Sequence, residues 1–169
     1  MLAAGRHKLD VARVREVAAL VEKHPGKMRQ LVECLRDSDP GVANRAADVL
    51  ERASYRQPAL LVPWKDVVLD LLLEAAENKL RWNLALVVSR IGLTRPEIAR
   101  AAAALKTYLD DQSSLVKTAA MHGLAGLAQQ DATLMPEMLD LLRVLSRSGT
   151  PAMRARGRIL LKQLRSGIE

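Results

Sequence analysis

Four apolar residues, Val42, Leu80, Val116 and Met153, fall 38, 36 and 37 positions apart, and each opens a run with the same internal spacing of apolar and small residues. Four positions on stand Ala46, Leu84, Ala120 and Gly157; eight positions on stand Leu50, Val88, Leu124 and Leu161. Positions i, i+4 and i+8 lie along one side of a helix, so each run reads as one helix with a buried stripe. A self-similar period of this length points to stacked helix pairs, because one such unit cannot bury its own apolar face and covers it with the next.

Composition agrees with helices. The apolar share of 49% is nearly all Leu, Ala, Val and Met, with no Phe and only Tyr55, Tyr108, Trp64 and Trp82 as aromatics, and no segment alternates with period two. At 169 residues the chain is read as one domain, residues 1-169, long enough for a continuous core of stacked repeats. The single cysteine, Cys34, excludes an internal disulfide and points to a reduced compartment; its spacing with Met28, Leu31, Val32 and Leu35 puts it on the apolar side of a helix. The start of the chain meets Arg6, His7 and Lys8 at once, without the apolar stretch of a secretory signal, and the apolar run at Val67 to Leu73 is broken by Asp70 and too short to cross a bilayer. The expectation is a soluble cytoplasmic protein with no membrane contact.

Each predicted helix has its own punctuation. Asp39-Pro40 supplies a capping carboxylate and a first-turn proline, Thr150-Pro151 repeats the device, and Thr94 with Glu97 forms a capping box. Gly92 and His24-Pro25-Gly26 read as stops. These marks predict helices over 9–23, 27–37, 40–54, 63–77, 79–91, 95–109, 114–129, 133–147 and 151–165, hence repeats near 27-54, 63-91, 95-129 and 133-165 behind a capping helix 9-23. The long connection after Tyr55 carries Leu60-Leu61-Val62, apolar residues that need burial, which an extra turn before Pro63 would provide.

The segment Asp39-Pro40-Gly41-Val42-Ala43-Asn44-Arg45-Ala46-Ala47-Asp48-Val49-Leu50 resembles the second helix of a HEAT repeat, and Val116-Lys117-Thr118-Ala119-Ala120-Met121-His122-Gly123-Leu124 is similar to the same consensus, with its basic residue directly after the Val. The resemblance covers roughly residues 27 to 165 and departs where Ala43 takes the basic position, where Leu84 replaces the small residue, and in a period shorter than the commonest one for the family. It implies an all-α fold, an alpha-alpha superhelix of about four helix pairs, whose second helices line a concave side used for binding proteins or, less often, nucleic acid.

Groups for chemistry are sparse. The HEAT-type hydroxylases hold iron with His-Glu pairs, whereas His7, His24 and His122 are followed by Lys8, Pro25 and Gly123, and three scattered histidines with one cysteine give no metal spacing. Asp37 with Asp39 and Asp110 with Asp111 sit at turns, where capping is the ordinary role. DNA glycosylases of this architecture hold a damaged nucleotide with aromatic residues and an Asp, and Trp82 is the one aromatic on the corresponding face. We therefore expect no enzyme, no cofactor, no metal and no small-molecule substrate.

Two surfaces remain. Positions two, six and nine after each opener should point away from the core: Asn44, Asp48 and Glu51, then Trp82, Leu86 and Ser89, then Thr118, His122 and Ala125, then Ala155, Ile159 and Lys162. Trp82 beside Leu86 is a candidate anchor for a protein partner, unless neighbouring helices cover both, and His122 shares the strip. Arg81, Lys117 and Arg154, directly after the openers, are similar to the family's inter-repeat ladder, which would pair them with turn carboxylates such as Asp110 and Asp111.

The second surface is electrostatic. The net charge of +7 concentrates in residues 143–169, which hold seven basic residues against Glu169 alone, a net +6, leaving +1 for the other 142 residues. Arg154, Arg158, Lys162 and Arg165 follow helical spacing as one stripe. Such a stripe caps the stack, docks an acidic protein, or contacts phosphates; few aromatics argue against base stacking on single strands. The leading expectation is a non-catalytic scaffold or adaptor binding a protein, with a nucleic-acid-binding module built on the basic C-terminal helix as the alternative.

Overall fold

Local capping and proline chemistry set where the helices begin and end. The computed structural model describes the backbone of residues 2–166 and the side chains of residues 11–166; Arg6, His7, Lys8 and Glu169 lie outside the described side chains. Nine α-helices are described: α1 (Leu2–Lys23), α2 (Met28–Cys34), α3 (Pro40–Arg56), α4 (Lys65–Glu74), α5 (Asn78–Val88), α6 (Arg95–Tyr108), α7 (Ser114–Gln130), α8 (Met135–Ser148) and α9 (Pro151–Ser166), with no strand among the described residues. Asp39 caps α3, its Oδ1 accepting from the Gly41 N–H at 2.7 Å, and the Thr94 N–H donates to Glu97 Oε2 at 2.7 Å ahead of α6. Thr150 Oγ1 accepts from the Met153 N–H at 3.3 Å at the start of α9.

Several boundaries differ from the sequence reading, among them the end of α5 at Val88, three residues before the expected 91. α1 begins at Leu2, seven residues before the expected start, and α2 stops at Cys34, its last turn tightening into the Leu35 N–H to Val32 carbonyl bond of 3.2 Å. The expected helix over 63–77 is instead a 3-10 segment, Pro58–Trp64, followed by the shorter α4. Pro58 and Pro63 have no N–H to give, and the tight winding drives Leu61 fully into the core while Val62 stays exposed.

Each odd-numbered helix packs beside the next odd-numbered one, α1 on α3, α3 on α5, α5 on α7 and α7 on α9. Each even-numbered helix packs on the helix that follows it, and α4 also packs on α6. One contiguous apolar cluster runs from Ala18 to Leu164. α5 shows why it sits at the centre: Leu84, Ala85, Val87 and Val88 are all fully buried, and burial of each Leu or Val contributes roughly 1.5–3 kcal/mol. Contact between α5 and α7 is close because α7 carries glycine there. A Cβ at Gly123 would lie 2.5 Å from the Ala85 carbonyl oxygen, and one at Gly126 would lie 2.6 Å from Ser89 Cβ.

Polar contacts follow the same neighbour rule. Among the described residues, the side-chain hydrogen bonds that join one helix or turn to a distant one connect positions 30 to 41 apart, close to a single sequence period.

Candidate functional site

Trp82 and Leu86 occupy adjacent turns of α5 and are both half-buried, their inner edges packed on the core. Neither is fully covered by its neighbours and neither stands free. Trp82 lines a cavity of about 560 Å³ whose walls come from three helices: Val11 and Val14 of α1, Asn44, Asp48 and Glu51 of α3, and Lys79 and Asn83 of α5. The charged walls are braced. Asp48 Oδ2 pairs with Lys79 Nζ at 2.6 Å, and Asp48 Oδ1 accepts from Asn83 Nδ2 at 3.1 Å. Asn83 is only 1% exposed, and the buried Oδ1 atoms of Asn44 and Asn83 have no donor among the described residues. Leu86 does not line this cavity, so the two apolar residues extend one strip without sharing one hollow.

Further along the same layer, His122 lies in a smaller groove of about 220 Å³ with Ser89, Arg90, Gln129 and Gln163. Arg90 is fixed on three sides: Nη2 meets Glu51 Oε1 at 2.6 Å, Nη1 donates to the Glu51 carbonyl at 2.8 Å, and the guanidinium sits 5.1 Å from the exposed Tyr55 ring. Burial holds the imidazole of His122 below its ordinary pKa, and the positive charges of Arg156 and Arg90 add to the effect. Ala125, expected to face outward, is buried at 3% exposure, because the close approach of α5 at Gly123 and Gly126 covers that turn of α7.

The basic stripe is a separate surface. α9 buries Met153, Gly157, Leu160 and Leu164, and helical geometry of 100° per residue turns Arg158 and Lys162 to the opposite side. Arg158, Lys162 and Arg165 line one shallow depression of about 370 Å³ with Leu161, and none makes an ion pair among the described residues. Arg154 is turned back instead, its Nη1 donating to the Gly149 carbonyl at 3.1 Å. The three stripe residues are thus brought together, but they share no cavity with Trp82 or His122. Arg156, outside the expected stripe, is the α9 cation whose charge reaches His122.

Of the three residues placed directly after the openers, Arg81 pairs with Asp111 Oδ2 at 2.5 Å, while Lys117 and Arg154 make no ion pair among the described residues. Asp37, Asp39 and Asp111 each accept a nearby backbone N–H, the role of turn and cap carboxylates. Sequence reasoning missed Asn83 and Arg90. Asn83 had a signal, a polar residue three positions after an opener and hence on the buried side; Arg90 had none, because its partners lie one repeat away.

Among the described residues no three His, Cys, Asp or Glu side chains converge as a metal ion requires, and no helix is long and apolar enough to cross a membrane. In comparisons with known proteins, no family model matches the sequence and no curated protein matches it significantly.

Proposed function

We propose that this chain is a HEAT-like solenoid, a non-catalytic cytoplasmic scaffold that binds a protein partner along the face of α3, α5, α7 and α9. The solenoid reading draws on packing confined to neighbouring helices and on polar contacts one period apart. One observation carries the function: Trp82, a large rigid side chain, is half-buried and lines a cavity whose walls are already held by the Asp48–Lys79 and Glu51–Arg90 pairs. A partner side chain would enter a preformed site, and little conformational entropy is lost there on binding. Leu86 extends the apolar strip, His122 and Arg90 supply polar contacts, and Arg158, Lys162 and Arg165 give an electrostatic rim suited to an acidic partner.

The test is affinity capture with wild-type protein and with Trp82→Ala, followed by measured binding of whatever is captured. Loss of a specific complex with the fold intact supports the scaffold; an unchanged affinity removes Trp82 as the anchor. A second reading, nucleic-acid binding, rests on the Arg158, Lys162 and Arg165 cluster, which has no ion-pair partner among the described residues. It predicts duplex binding that weakens steeply with salt, is lost on charge reversal of Arg158 and Lys162, and is indifferent to Trp82→Ala.

A further inference from the structure

The two ends of the molecule are built differently. α3, α5, α7 and α9 are each covered by the helix immediately before them, whereas α1 packs mainly on α3 and on the turn at Pro25–Lys27. Among its described residues α1 leaves two large apolar side chains exposed on one side, Val17 and Leu20, both 42% exposed. Beside it runs a groove of about 460 Å³, walled by Val17 of α1, Leu31 and Cys34 of α2, and Val42 of α3. Arg13 and Arg45 also line it, and among the described residues the lining holds no carboxylate and neither arginine makes an ion pair.

We infer that this groove receives an amphipathic helix with acidic flanks from a partner protein. The helix covers α1 as each of the other odd-numbered helices is already covered by the helix before it. Its apolar stripe meets Val17, Leu31 and Val42, and its carboxylates reach Arg13 and Arg45. Nucleic acid has no place on a floor of Val and Leu. This surface uses a different side of α3 from the Trp82 cavity, Val42 and Val49 rather than Asn44 and Asp48, although Val14 and Arg45 border both. It therefore stands or falls separately from the proposed concave site.

Cys34, the single cysteine, reports on the groove directly because it lines it. The probe is a synthetic amidated peptide of about four helical turns with Leu at i, i+3, i+4 and i+7 and Glu flanking the stripe; a second peptide carries Lys in place of Glu. The Glu peptide should slow maleimide alkylation of Cys34 saturably, by tenfold or more, while the Lys peptide leaves the rate unchanged. In the Arg13→Glu, Arg45→Glu double variant the preference should reverse. Both positions are exposed, so the fold tolerates the change. Equal protection by both peptides, or protection by neither, overturns the proposal. Protection that grows with the protein's own concentration, without peptide, also overturns it and makes a second copy the occupant.

Discussion

Arg81 of α5 reaches Asp111, 30 positions on, at 2.5 Å, and in the same pose its Nε donates to the Ala75 carbonyl at 2.8 Å. One side chain thus satisfies an orphan carbonyl after α4 and ties α5 to the turn before α7. Tyr108 completes the arrangement: its ring lies 4.8 Å below the guanidinium, and its hydroxyl donates to the Leu72 carbonyl at 2.5 Å. Burial pushes that hydroxyl up to about 12, so it remains a donor across the accessible pH range.

Removing Arg81 should cost more than an exposed ion pair, because Asp111 is left buried at 8% exposure with its charge uncompensated. Arg81 is itself partly exposed, so the penalty is about 2 kcal/mol rather than the full value for a buried pair. Urea unfolding of Arg81→Ala, Asp111→Ala and the double variant gives the coupling. Additive effects would show that the two side chains act independently.

Glycine substitutions should separate two environments. Gly123→Ala adds helix propensity worth about 1 kcal/mol, but its Cβ meets a backbone carbonyl at 2.5 Å, so α5 and α7 must part and the net effect is a loss of about 1–2 kcal/mol. Gly92→Ala meets nothing within 4 Å and should be neutral or slightly stabilising. Thermal melts of the two variants make the comparison; equal melting temperatures would mean the helices separate freely at Gly123.

These contacts mark the boundary of what the sequence discloses. Asp39-Pro40, Thr94 with Glu97, and Thr150-Pro151 start helices through bonds made within a few residues, so local chemistry is enough to read them. The repeat places buried residues at Leu80, Val116 and Met153 for the same reason, whereas Val42 and Leu161 of the same pattern are only half-buried. Exposure at Trp82 and burial of Ala125 depend instead on how near the neighbouring helix lies. That distance is set by side chains a full period away, such as Gly123 against Ala85, and no spacing within one helix encodes it.

Acid stability should report the α6 cap. The hydrogen bond from Lys65, with Nζ at 2.6 Å, and the bond from the Thr94 N–H hold Glu97 down to about 2 from an ordinary value of 4.5. A carboxyl with a lowered folded pKa stabilises the fold above its unfolded value, and that contribution fades as pH falls from 4.5 toward 2. Glu97→Gln should be less stable than wild type at neutral pH and lose less on acidification through this window. Parallel acid limbs for the two proteins would show that the box contributes nothing in solution.

His122 should set a second, milder pH dependence with its own window. Its pKa is lowered from 6.5 by burial first and then by Arg156 and Arg90, with Glu51 opposing. Above 6.5 the side chain is neutral in both folded and unfolded chains and contributes no slope. Below it the unfolded chain takes up the proton first, so stability falls as pH drops toward the folded value. His122→Gln should remove that part of the loss, so the variant's stability should fall less than wild type's as pH drops below 6.5. An NMR titration of the imidazole should place its midpoint below the ordinary value, and Arg156→Gln should raise it. A midpoint at or above 6.5 would mean that water fills the groove and that Arg156 stands away from it.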